Sequence, residues 1–271
     1  MGTKKRTQVV RVFTVSPLPW ELDDDEIGLV LGDQVGVLNY DFVGTNGAVW
    51  DAGKFSNTKY EASGGLMNQA ESYADIQSNK GHIKITKGAT VGLCSVDNKA
   101  VLDLDFTGNK KYRIIVDLKA TTASGTNTGN VGLSISPDDA LVSYYPLTTT
   151  LTDGFSFFLN PEVSTLKSRV RVRKIVAGVM GLDGYVGKDG GYAALEADRL
   201  LLSESVFHNL VLEISTASIK VYIDETEYLD VVEDLTVLNT ATCKLVLWGM
   251  NYDPNSLVCE HEFDNLAVEQ I

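Results

Sequence analysis

The residues of this chain able to do chemistry are close-set carboxylates, one arginine run, a few aromatic rings and three histidines. Asp103 and Asp105 in Val-Leu-Asp-Leu-Asp-Phe stand two apart, so an extended backbone points both to one side. Paired carboxylates are what glycoside hydrolysis uses, with the two groups ~5 Å apart in retaining enzymes. Two aspartates on the wet face of an antiparallel sheet are ordinary, however, and solvation is the preferred reading. Asp224-Glu225-Thr226-Glu227 reads as a solvated hairpin turn. Glu21-Leu22-Asp23-Asp24-Asp25-Glu26 puts five carboxylates in six residues. Hard oxygens suit Ca²⁺, yet the glycine and final glutamate of an EF-hand are missing, so no metal and no other cofactor is assigned. A solvated acidic loop is preferred there, and contact with a neighbour's basic segment is the other use.

The run Lys167-Ser168-Arg169-Val170-Arg171-Val172-Arg173-Lys174 turns Arg169, Arg171 and Arg173 one way and its valines the other. Guanidinium forks suit carboxylates and phosphates. Three uses stay open: pairing with the chain's own acids across strands, docking to an acidic neighbour subunit or a polyanionic glycan, and nucleic acid. A formal charge of −13 opposes the last. None of His82, His208 and His261 sits in a nucleophile motif, and no Gly-x-Ser-x-Gly elbow occurs. For His208, at the start of a strand, packing and a backbone hydrogen bond are expected. Gly181, Gly184, Gly187, Gly190 and Gly191 lack the Gly-Lys-Ser/Thr of a phosphate loop. A mobile surface loop with a recognition role is expected there.

The elements that must position these groups are strands. Leu210, Leu212 and Ile214 alternate with Asn209, Val211 and Glu213, and Ile219, Val221 and Ile223 repeat the pattern. Tyr112, Ile114, Val116 and Leu118 alternate most cleanly. Further strands are expected at residues 101–106, 131–135, 155–159 and 169–176, separated by turn material at 121–130 and 136–139. Many short strands at this spacing mean a sandwich or barrel, and the absence of a repeat of 20 to 50 residues removes propellers and solenoids. The one helix expected is Ala193 to Leu202, with an extended alternative. Residues 1–38 are expected to form a basic arm, with Lys4, Lys5, Arg6 and Arg11, and an acidic, proline-bearing segment; residues 39–271 form the sandwich.

Phe207-His208-Asn209-Leu210, a hairpin ending Val221-Tyr222-Ile223-Asp224, and the closing Asp264-Asn265-Leu266-Ala267-Val268 together resemble the laminin-G and concanavalin A-like lectin/glucanase superfamily. Asn39-Tyr40-Asp41-Phe42, Trp50, Tyr73-Ala74-Asp75-Ile76 and Gly81-His82-Ile83-Lys84-Ile85 resemble the opening of such modules. The resemblance implies an all-β antiparallel jelly-roll sandwich. It also implies that sugars would be held by aromatic faces with amides or carboxylates beside them. Trp50, Tyr144, Tyr145, Trp248 and Tyr252 are candidates, and the ligand-binding set chosen is Trp50, Trp248, Tyr252 and Asp253. Trp248 faces away from Leu245 and Leu247, and burial is preferred for it over an exposed platform. Glucanases of this fold carry a strand of Glu-x-Asp-x-x-Glu type. No such run is present, and calcium ligands of the legume-lectin kind do not map onto this chain.

Three well-separated cysteines, Cys94, Cys243 and Cys259, are expected to be buried thiols. Arg11 interrupts the only apolar run near the start, so no secretion signal is read, and no stretch reaches the roughly 20 apolar residues of a membrane span. These readings point to a non-enzymatic virion structural or adhesion protein of a phage: a capsid decoration, fibre or tail-associated part, assembled in the host cytoplasm. Its expected partners are further copies of itself, such as a trimer, together with other virion proteins and a host-surface glycan, without nucleic acid or membrane insertion. Lys4, Lys5, Arg6, Arg11, Arg169, Arg171 and Arg173 are the expected assembly contacts. The alternative is a secreted or cell-surface bacterial module that binds or hydrolyses a glycan, its leader removed.

Overall fold

A computed structural model describes residues 9–13, 26–30, 35–61, 67–88, 94–121, 129–137, 153–161, 166–251 and 258–271. The strands are β1 (Val9–Phe13), β2 (Glu26–Val30), β3 (Val35–Tyr40), β4 (Phe55–Glu61), β5 (Tyr73–Gln77) and β6 (Lys80–Thr86). There follow β7 (Cys94–Ala100), β8 (Tyr112–Thr121), β9 (Val131–Ser136), β10 (Gly154–Pro161), β11 (Lys167–Val176) and β12 (Val179–Tyr185). The remainder are β13 (Leu201–Ser203), β14 (His208–Ile214), β15 (Ser218–Ile223), β16 (Thr226–Val232), β17 (Lys244–Asn251) and β18 (Val258–Gln270). β1 and β2 pair with each other in parallel. All other pairings are antiparallel and build two 8-stranded sheets.

The first sheet runs β16-β15-β14-β8-β18-β6-β5, with β3 also on β18. The second runs β12-β11-β10-β9-β17-β7-β4, with β13 on β11. Period-2 alternation decides which sides meet. Ile114, Val116, Leu118, Leu210, Leu212, Ile219 and Val221 of the first sheet share one buried cluster with Leu133, Ile135, Phe155, Phe157, Val170, Val172, Leu245 and Leu247 of the second. In β18 the alternation breaks after Asp264, where Asn265 has φ +49° and the register to β8 shifts. That bulge lets both Phe263 and Leu266 face inward, although they are an odd number of residues apart.

At one end of the sandwich Trp50 packs against Phe42, Phe55 and Phe263, with ring centroids 4.8, 5.3 and 5.8 Å away. Gly81 makes the cluster possible: a Cβ there would lie 2.9 Å from the Trp50 ring and inside the Phe42 ring. Cys94, Cys243 and Cys259 are all buried, and burial pushes the Cys243 thiol up to about 12.

Three expectations change. Residues 101–106 form no strand, because Leu104 makes only an isolated bridge to Cys243 and Asp105 instead accepts from Thr107 N–H and Oγ1 at the head of a turn. Ala193 to Leu202 is not a helix: a single 3₁₀ turn at Glu196–Asp198 gives way to β13, since the chain here pairs rather than coils. The glycines expected in a surface loop include Gly181 and Gly184 within β12, which the Ala177-Gly178 turn, both residues at positive φ, folds back on β11.

Candidate functional site

The second sheet has a side turned away from the shared core, and its composition is unlike that of a solvated face. Cross-strand register sets Thr58, Asp97, Trp248, Gly132, Phe158, Arg171 and Tyr185 in one row from β4 to β12. The adjacent row carries Lys99, Val246, Ser134, Ser156, Arg173 and Asp183. Trp248 and Phe158 are both completely buried, with ring centroids 5.5 Å apart. Gly132 stands between them, and any Cβ there would collide with Phe157 O and the Phe158 side chain. Trp248 Nε1 donates to Ser134 Oγ at 2.8 Å, and Ser134 Oγ lies 2.7 Å from Ser156 Oγ.

This floor carries the arginine stripe. Arg173 is 3% exposed with its Cζ 5.3 Å from the Phe158 ring centroid, and its Nε donates to Asp183 Oδ1 at 2.6 Å. Arg171 grips the same carboxylate with Nε at 2.8 Å and Nη2 at 2.5 Å. Arg169 and Arg199 both reach Glu196 Oε1, at 3.1 and 2.9 Å. Above them the Tyr185 ring has Arg199, Arg171 and Arg169 guanidiniums 4.0, 4.5 and 5.8 Å from its centroid. Of the open uses, pairing with the chain's own acids is what these arginines do. Asp183 serves two of them at once, so cationic groups accumulate beside Tyr185.

The sequence candidates separate in space. Trp248 lies on the outward side of the second sheet, facing away from Leu245 and Leu247 as expected, whereas Trp50 sits at the sandwich end with Nε1 donating to Asp75 O at 2.8 Å. Tyr144, Tyr145, Tyr252, Asp253, Lys4, Lys5, Arg6 and the acidic run at 21–25 lie outside the described residues, as does the Arg11 side chain. Among the described residues no group of three or more His, Cys, Asp or Glu could hold a metal ion. Asp103 pairs with Lys244 and Asp105 with Lys110. Lys110 and Thr107 hold the Asp105 carboxyl down at about 2, which makes it an anchored anion and unsuited to donate a proton near neutrality. Asp224 does sit in a two-residue hairpin turn, where its carboxylate accepts Asn209 N–H and meets His208 Nδ1 at 2.7 Å. His208 Nε2 lies 3.0 Å from Ser203 O, the backbone contact expected of it.

Tyr185, Asp183 and Arg199 were not foreseen as site residues. The first two alternate in β12 as Arg171 and Arg173 do in β11, so a hairpin at Ala177-Gly178 would have placed them opposite one another.

No protein-family model matches the chain, and no curated protein matches it in sequence. Solved structures do match. An endo-1,3-β-glucanase from Streptomyces sioyaensis aligns over 90% of this chain and 98% of its own, with TM-score 0.55 and 12% identity. The κ-carrageenase from Pseudoalteromonas carrageenovora aligns over 90% and 98%, with TM-score 0.55 and 13% identity. This fold is the concanavalin A-like jelly roll. A non-specific endo-β-1,3(4)-glucanase of family GH16 aligns over 90% of this chain and 97% of its own, with TM-score 0.55 and 11% identity. These jelly-roll relatives in shape are glycan-cleaving enzymes. The expectation of a non-enzymatic virion protein is therefore corrected: it rested on a missing carboxylate run, a basic arm, three unbridged cysteines and the lack of a readable secretion signal, and the similarity to glucanases and a carrageenase over the whole sandwich outweighs them.

Proposed function

We propose that this protein is a secreted or cell-surface glycan-active module that engages a polyanionic polysaccharide at the arginine-lined end of the second sheet. The observation that carries this reading is the Tyr185 ring with three guanidinium groups within 5.8 Å of its centroid, in a chain whose net charge is −13. A cationic cluster on an acidic protein selects its ligand locally: fork-shaped donors match sulfate or carboxylate groups. Arg171 and Arg199 keep 15% and 20% of their side chains exposed, enough for a ligand to share them with Asp183 and Glu196. Trp248, Phe158, Ser134 and Ser156 supply the fixed floor that holds Arg173, and through the shared Asp183 also Arg171, in place.

Cleavage of that polysaccharide is the second reading, favoured by the glucanase and carrageenase similarities. Among the described residues, the strands carry two carboxylates on this side of the sheet, Asp97 on β7 and Asp183 on β12, while Glu196 lies outside the strands and is taken up by Arg169 and Arg199. Asp97 and Asp183 are five strand steps, about 24 Å, apart, against roughly 5–9.5 Å for an acid/base pair. A cleaving protein would therefore not use these two as its pair.

The experiment is a panel of sulfated, uronic and neutral polysaccharides, scored for retardation in affinity gels and for release of reducing ends. Retardation by the anionic members, weakened about tenfold in Arg171→Ser/Arg199→Ser, is expected. A protein that ignores every polysaccharide in the panel, neither bound nor cut, overturns the reading.

A further inference from the structure

A second concave site lies at the sandwich end, away from the arginines. It is a half-open cavity of about 210 Å³ lined by Val49, Trp50, Phe55, Asn57, Lys59, Tyr73, Ala74 and Asn98. Its residues come from both sheets: β4 and β7 belong to the second and β5 to the first. Three aromatic side chains and two small apolar ones form the walls, and the polar groups are two amides and one ammonium. No carboxylate is among its lining residues. The amides are organised: Asn57 Nδ2 donates to Asn98 Oδ1 at 2.9 Å. Asn98 is completely buried, yet its Nδ2 has no hydrogen-bond partner among the described residues. A buried donor left unsatisfied is unfavourable, and a ligand oxygen would relieve it. Lys59 Nζ is held at the rim by Gln69 O at 2.5 Å.

We propose that this cavity binds a single neutral pyranose ring, taken end-on. A pyranose has an apolar C–H face for Trp50, Phe55 or Tyr73 and a rim of hydroxyls able to accept from Asn57, Asn98 and Lys59. Clefts for drug-sized ligands run to roughly 300–1,000 Å³, so this one has room for about one ring. The cavity reads the end of a glycan or a free hexose, whereas the arginine cluster reads charge. Only the class of ligand rests on the glycan reading; the cavity's geometry is independent of it.

The test is ligand-observed saturation-transfer NMR on the full chain with the methyl glycosides of glucose, galactose and mannose. Transfer to the ring C–H protons of at least one hexoside is expected. It should fall at least tenfold in Asn57→Leu, which removes the amide donor from an exposed lining position at nearly unchanged shape, and remain in Arg171→Ser/Arg199→Ser. Tyr73→Ala, half-buried at the wall, gives a second reading should Asn57→Leu perturb the fold. No transfer from any of the three hexosides, or transfer surviving both cavity variants, overturns the proposal. Hexoside binding without polysaccharide binding supports the cavity and sinks the arginine-site reading. Polysaccharide binding without hexoside binding does the reverse.

Discussion

At the scale of single residues, the most telling is His261. It faces inward from β18, is fully buried, and neither ring nitrogen has a hydrogen-bond partner among the described residues. Burial, with a smaller push from His82, lowers its pKa from 6.5 to about 3. Between those values the unfolded chain binds a proton that the folded chain refuses. Stability is therefore whole above about pH 6.5 and is lost as pH falls towards 3, by about 2 kcal/mol at pH 5. Replacing the ring removes the difference, so His261→Leu should be at least as stable at pH 7 and should lose less stability between pH 7 and 5. Urea titrations at the two values measure this, and equal losses in both proteins would show that the acid sensitivity arises elsewhere. A histidine between Glu260 and Glu262 gives no warning of this environment in the sequence. Its neighbours in space, Gly249, Ile83 and Ile85, come from two other strands.

At the scale of elements, β11 and β12 show what pattern reveals and what register conceals. Alternation in Arg169-Val170-Arg171-Val172-Arg173 correctly turns the arginines outward, because one valine-bearing face must be buried. Which acids they meet depends on the strand opposite, and the glycines of β12 disguised it as a loop. Ala193 to Leu202 failed for a related reason: its helix formers are outweighed by the backbone partners that β11 offers to β13. The two acids should differ sharply in worth. Asp183 answers two guanidiniums, one of them on a side chain 4% exposed, whereas Glu196 is 70% exposed. Asp183→Asn should cost about 3 kcal/mol, the scale for removing one partner of a buried charge pair. Glu196→Gln should cost less than about 1 kcal/mol. Thermal unfolding of both variants decides, and equal costs would mean that the floor beneath Arg173 does not hold it in place.

At the scale of the whole molecule, the jelly roll was legible because alternation over many strands leaves few ways to close two sheets on one core. The site was not, because it is assembled from β7, β9, β10, β11, β12 and β17, and order in sequence does not give order in a sheet. Charge adds a property that no local reading contains. A chain of net charge −13 repels a polyanion at long range, while the arginines beside Tyr185 attract it at contact. Salt screens the two unequally. The Debye length is about 30 Å at 0.01 M, where the whole molecule's repulsion is felt, and about 10 Å at 0.1 M, where contacts survive and the distant field does not. Near 1 M, at about 3 Å, the contacts weaken too. Affinity for a sulfated polysaccharide should therefore pass through a maximum near 0.1 M instead of falling steadily as it would for a uniformly basic protein. Binding measured at these three salt concentrations tests this. A steady fall would mean that local attraction outweighs the net charge at every distance, and a flat profile would mean that the arginines do not touch the ligand.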